Sequence, residues 1–125
     1  MSSKTLLTNQ IKMENDNKLI AEFMGMNYGD PNDNSVMIQM TPQGNEVVPI
    51  NSMEYHSSWD WLMPVVEEIE GLGIVSFEKN LQEEGDYQCL FTKGYDILIC
   101  HYADTSIEAT YNAVIEFINY YNKLK

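Results

Sequence analysis

The chain has 125 residues, 44% hydrophobic and 11% aromatic, with 19 Asp and Glu against 7 Lys, no Arg and a net charge of −12. That apolar content is too high for a disordered tail, and no apolar run reaches the length that crosses a bilayer. The scarcity of cations disfavours direct binding to a phosphate backbone and, beyond simple solubility, favours a basic protein as partner.

Residues 1–12 show no sustained period, and Met13 opens a second plausible start. The expectation is a flexible N-terminal extension over 1–12 and a single α+β domain over 13–125. The first residues lack the apolar core of a secretion signal, so the chain is expected in the cytoplasm of the cell that made it, with both cysteines reduced. From Asn15 the pattern turns helical. Asn15, Asp16 or Asn17 can cap, Leu19, Ile20, Phe23 and Met24 form a stripe, and Gly25 can stop the helix. Residues 27–34 are turn formers throughout. Residues 35–40 and 46–50 read as a hairpin around Thr41-Pro-Gln-Gly-Asn45, with Pro49 placing the second strand at an edge or ending it.

A second helix follows Tyr55-His-Ser-Ser58, started by Ser57 with Asp60 or by Ser58 itself. Leu62, Val65, Val66 and Ile69 fall on one face, opposite Asp60, Pro64, Glu67 and Glu68. Pro64 predicts a kink or a tight 3₁₀ first turn, and Gly71 and Gly73 end the helix. Strands are expected over 74–79, 86–92 and 96–102. The last is apolar on both faces, as a central strand covered on both sides would be. Thr105-Ser-Ile-Glu108 is a capping box opening a third helix, whose core stripe is Ile107, Tyr111, Val114, Ile118 and Tyr121. The order α-β-β-α-β-β-β-α predicts an α+β fold with a largely antiparallel sheet of about four to five strands and helices packed on it.

The candidates for chemistry fail on spacing, direction or charge. Asp30, Asn32 and Asn34 have the first spacings of a calcium loop, but Ser35 stands at its glycine position and Thr41 at its glutamate position. Cys89, Cys100, His56 and His101 supply zinc-type ligands without a ligand pair at metal spacing, and the neighbours Cys100 and His101 project to opposite faces of a strand. With a two-residue turn at Lys93-Gly94, Cys89 faces Leu98 and lies diagonal to Cys100 on one face. Glu67, Glu68 and Glu70, and Glu83, Glu84 and Asp86, read as solvated carboxylates. No phosphate-binding glycine loop and no nucleophile elbow is present. The sequence therefore points to no catalytic residues, no cofactor and no metal. What remains is the aromatic stretch before the second helix, with Tyr55, His56 and Trp61 as a candidate partner surface and Trp59 leaning to the core.

Three segments, Asn17-Lys-Leu-Ile-Ala-Glu-Phe-Met-Gly25, Tyr55-His-Ser-Ser-Trp-Asp-Trp-Leu-Met-Pro-Val-Val-Glu-Glu-Ile-Glu70 and Ile107-Glu-Ala-Thr-Tyr-Asn-Ala-Val-Ile-Glu-Phe-Ile118, resemble a family of small uncharacterised proteins from phages and prophages of Bacteroidetes-type hosts. More distantly, the order of elements is similar to the phage ABA sandwich domain. The resemblance rests on caps and packing residues and covers about residues 15–122, so it implies a fold and supplies no site residues. The expectation it leaves is a non-enzymatic accessory protein of a phage or mobile element, acting through protein contacts. The alternative is an acidic, DNA-mimic-like inhibitor of a host nucleic-acid-binding or defence protein; a small enzyme with a site around His56 and Tyr55 stands third.

Overall fold

A computed structural model describes residues 2–28, 35–82 and 85–124, and within these the side chains of all but 2–10 and 40. The asparagine-rich triplet Asp30, Asn32 and Asn34 lies outside the described residues, as do Glu83 and Glu84 of the acidic turn. The elements are α1 (Ser2–Phe23), β1 (Val36–Thr41), β2 (Gly44–Pro49), a 3₁₀ turn (Ile50–Ser52), α2 (Trp59–Gly71), β3 (Ser76–Leu81), β4 (Tyr87–Lys93), β5 (Asp96–Ala103) and α3 (Ser106–Leu124). This is an α+β fold with antiparallel strands, in the order read from the sequence. Its five strands are divided between a two-stranded sheet, β1-β2, and a three-stranded sheet, β3-β4-β5. The chain forms two compact units, Met1–Met53 and Glu54–Lys125, where the sequence suggested one domain from residue 13.

In the first unit, α1 runs through the residues expected as an extension and through the expected Asn15–Asn17 cap. Asn17 is a mid-helix residue. It is buried and its amide donates to the carbonyls of Ile50 (3.1 Å) and Met53 (3.5 Å), which ties the helix to the 3₁₀ turn. The helix stops where expected. Gly25 takes φ +91°, its N–H bonds Glu22 O and the Met26 N–H bonds Ala21 O, the paired bonds of a Schellman ending. Asn27 then exchanges backbone hydrogen bonds with Ile38 of β1. The β1–β2 hairpin turns through Pro42 and Gln43, with Thr41 Oγ1 donating to Gly44 O. Met37 and Val48 pair on the buried face, and β2 ends at Pro49, which has no N–H to continue a ladder.

In the second unit, Ser58 stands at the N-cap of α2 with extended backbone, although its side chain makes no cap hydrogen bond. Its carbonyl accepts from both Trp61 N and Leu62 N, so the first turn carries the i→i+3 bond anticipated from Pro64, and the helix continues through the proline. Leu62, Val65, Val66 and Ile69 are all fully buried. On α3, the Glu108 N–H donates to Thr105 Oγ1, the threonine half of the capping box. The core face of α3 differs from the expected stripe. Ala109, Thr110, Ala113, Val114, Phe117 and Ile118 are buried, while Ile107, Tyr111 and Tyr121 are half-buried. The face turns toward the two alanines because their small side chains let the helix approach the sheet and seat Phe117 against Phe91 (centroids 5.5 Å apart).

The register fixes which side chains share a face of this sheet. Phe77, Phe91 and Ile99 lie in one row, and Lys79, Cys89 and His101 in the next. Their contacts with Phe117, Thr110, Glu116 and Trp59 put both α2 and α3 on this face. β4 is the central strand, with Cys89, Leu90 and Phe91 all buried. β5, expected at the centre, is an edge strand. Its apolar residues on the face away from the helices, Ile97 and Tyr102, are 61% and 57% exposed.

Candidate functional site

The stretch singled out in the sequence forms a tight turn in which the Glu54 carbonyl accepts from Ser57 N and Ser58 N. That turn sends the Tyr55 ring inward. Tyr55 is 3% exposed and meets Trp61 edge-on at 5.2 Å, and burial pushes its phenol up to about 12. It is a core residue and cannot belong to an exposed surface with His56 and Trp61; apolar surface draws the ring inside where the turn permits it. His56 and Trp61 are half-buried. His56 lies beside Tyr111 (6.3 Å), and its buried Nδ1 has no hydrogen-bond partner. Trp59 is half-buried too, with the Lys79 ammonium 4.6 Å above its ring.

The two thiols are separated by a bulge. The β4–β5 turn uses Gly94 and Tyr95, and the pairing shifts from Thr92 opposite Ile97 to Phe91 opposite Ile99, leaving Leu98 as the extra residue. Cys89 is consequently opposite His101 and Cys100 opposite Leu90, on the other face. The expected diagonal pairing of the cysteines is corrected by that one residue, since a slip of one exchanges the faces. Cys89 is sealed under α3, 2.9 Å from Thr110 Oγ1. The Thr110 hydroxyl already donates to Ser106 O at 2.7 Å, so the thiol is the donor to the threonine. Burial raises the Cys89 thiol above its ordinary range, and a thiol held neutral as a donor is a poor nucleophile. On the same face His101 Nε2 lies 2.9 Å from Glu116 Oε1. Among the described residues no three His, Cys, Asp or Glu gather as a metal cage, and no helix is long and apolar enough to cross a membrane.

Exposed large apolar residues include Val47, Leu81 and Leu124 as single positions, and three more lie together on the β4–β5 hairpin. Tyr95 projects fully from its turn, and Ile97 and Tyr102 stand near the two ends of β5 on the face without α2 and α3. Tyr102 is held in place. Its hydroxyl accepts from Gln88 Nε2 at 2.9 Å, and Gln88 Oε1 in turn accepts from Asn80 (3.3 Å) and Gln82 (3.2 Å), a polar ladder across three strands. Sequence reasoning missed this group because apolar residues on both faces of a strand signal burial when the strand is central and exposure when it is not. The signal that remained was Tyr95, an aromatic residue in a glycine turn. No family model, no curated protein and no solved structure matches the chain.

Proposed function

We propose that this protein is a non-enzymatic accessory factor, of the phage or mobile-element kind its sequence resembles, that works by binding another protein. The observation that carries this reading is the set of exposed Tyr95 in the β4–β5 turn and Ile97 and Tyr102 on the edge strand β5, with the Tyr102 hydroxyl bonded to Gln88. Exposed tyrosines are frequent in interface hot spots, because a large apolar ring with few rotatable bonds loses little freedom when it is covered. The one shielded thiol, Cys89, is bound as a donor and supplies no nucleophile. A photo-crosslinking amino acid at position 102, with one at Glu68 on the exposed face of α2 as control, tests the reading in bacterial lysate. A discrete adduct at 102 and none at 68 is the expected result, and no adduct above background at micromolar bait would sink the proposal.

A second reading, an acidic inhibitor of a nucleic-acid-binding protein, draws on the distribution of charge. Residues 54–125 hold 13 Asp and Glu against 4 Lys, a net charge of −9 out of −12 for the whole chain. Such a complex weakens steeply between low and physiological salt. A salt-insensitive complex is incompatible with it.

A further inference from the structure

The two edges of the three-stranded sheet are unlike. β3 carries Glu78 and Lys79, with the Lys79 ammonium drawn over Trp59. Its Phe77 N–H donates to the Glu70 carboxylate at 3.3 Å, so a side chain already occupies part of that edge. Charged residues and covering groups are the usual means of keeping an edge from pairing with another chain. β5 lacks them. Between Asp96 and His101 it reads Ile97-Leu-Ile-Cys100, without a charge or a proline, and its Asp96–Ala103 backbone hydrogen bonds to no described residue outside the β4 ladder. The bulge at Leu98 bends the start of the strand and leaves Ile99–Ala103 as a regular run paired with β4 on its inner side.

The surroundings of this edge select its partner. Asp96 and Asp104 are exposed at the two ends of the strand, and Glu78 is exposed on the face away from α2 and α3. Lys93, opposite Asp96, is the single cation of the β4–β5 hairpin. The unit as a whole carries −9. We infer that the free edge of β5 accepts a basic, extended peptide segment of a partner protein as an added strand, its main chain bonding to Ile99–Ala103 and its alternate side chains meeting Ile97 and Tyr102. Backbone hydrogen bonds supply the attachment in this mode and the flanking charges select for lysine and arginine. A second copy of the chain is the obvious competitor for an open edge, but it brings another −12 to an acidic rim. The inference rests on the reading of the protein as a contact module and names the segment that module takes.

The test uses the full chain, ¹⁵N-labelled, with a synthetic peptide of about eight residues, the span of an ordinary strand, alternating lysine and valine. Saturating peptide is expected to slow hydrogen exchange by about an order of magnitude at alternate amides of Ile99–Ala103, those whose N–H points away from the β4 ladder and exchanges freely until paired. A glutamate–valine peptide and a proline-interrupted lysine peptide should leave them unchanged. Ile97→Lys, at an exposed position, should abolish the protection with an unaltered Tm. Chemical shifts confined to the amides of Asp60, Glu67 and Glu68 would overturn the inference, since they mark diffuse charge attraction to α2. So would protection that appears without peptide and grows with protein concentration, which marks a second copy on the edge. An adduct at position 102 in lysate together with an unprotected β5 overturns strand addition while leaving the contact reading intact.

Discussion

Tyr55 shows how one side chain records its surroundings. Its phenol is raised from the ordinary tyrosine value near 10 to about 12 because the phenolate would have to form inside the protein. The unfolded chain releases that proton first, so the contribution to stability is fully present below about pH 10 and is lost as pH rises toward 12, on the order of 2 kcal/mol. Tyr55→Phe, which keeps the edge-on contact with Trp61, should unfold at the same urea concentration as the parent at pH 7 and at a higher one near pH 11. Equal alkaline losses in the two proteins would locate the titration elsewhere. Asn17 has the opposite chemistry, a polar group buried with one oxygen unpaired and its amide committed to Ile50 O. Asn17→Ala should cost about 1–3 kcal/mol in urea unfolding. Asn17→Asp should cost more at pH 7, because a carboxylate would face a carbonyl it can only repel, and should recover as pH falls and the acid becomes a donor. The reverse order of the two variants would mean that the Asn17 amide is not the group that matters.

Among the elements, those defined by local chemistry were readable from the residues alone. Gly25 ended α1, Leu62, Val65, Val66 and Ile69 formed the core of α2, and Thr105 capped α3. Each depends on neighbours within a turn or two. What was not readable depended on partners distant in sequence. The start of α1 was placed too late because the residues before Asn15 have no apolar period. Asn17 looked like a cap because its acceptors, Ile50 and Met53, lie over thirty residues away. β5 looked central because a strand's position in a sheet is set by which strands flank it. On α3, the spacing of large residues selected Tyr111 and Tyr121, whereas packing selected Phe117, which meets Phe91, Tyr120 and Tyr121 within about 6 Å. Phe117→Ala should therefore destabilise the protein by about 3–5 kcal/mol in urea, against less than half of that for Tyr111→Ala. Comparable losses would restore the stripe read from spacing.

At the scale of the molecule the controlling fact is charge. With 19 carboxylates and 7 lysines the folded chain repels itself, and the unfolded chain does so less because its charges are farther apart. Raising NaCl from about 0.01 M to about 1 M shortens the Debye length from about 30 Å to about 3 Å, and the midpoint of urea unfolding should rise. A falling midpoint would show that attractive pairs such as Lys12–Asp16 outweigh the repulsion. The same salt series separates the functional readings. Binding by an acidic mimic weakens steeply along it, whereas strand addition at β5 loses its preference for lysine and arginine but keeps the part supplied by backbone hydrogen bonds and by Ile97 and Tyr102. Of the candidate site, the sequence disclosed the aromatic residues and the acidity. It did not disclose which aromatics face water, a property of the turn at Glu54 and of the order of the strands.

The extra residue at Leu98 also divides the labour of the two thiols. With Cys89 under α3 and Cys100 half-exposed on the other face, near Gln88, no internal disulfide is available to an oxidant. A maleimide dye should attach to the native protein once, at Cys100, and a second time only after unfolding. The natural chain thus carries its own reporter position beside β5, where a fluorophore would register the arrival of a strand without any engineered residue.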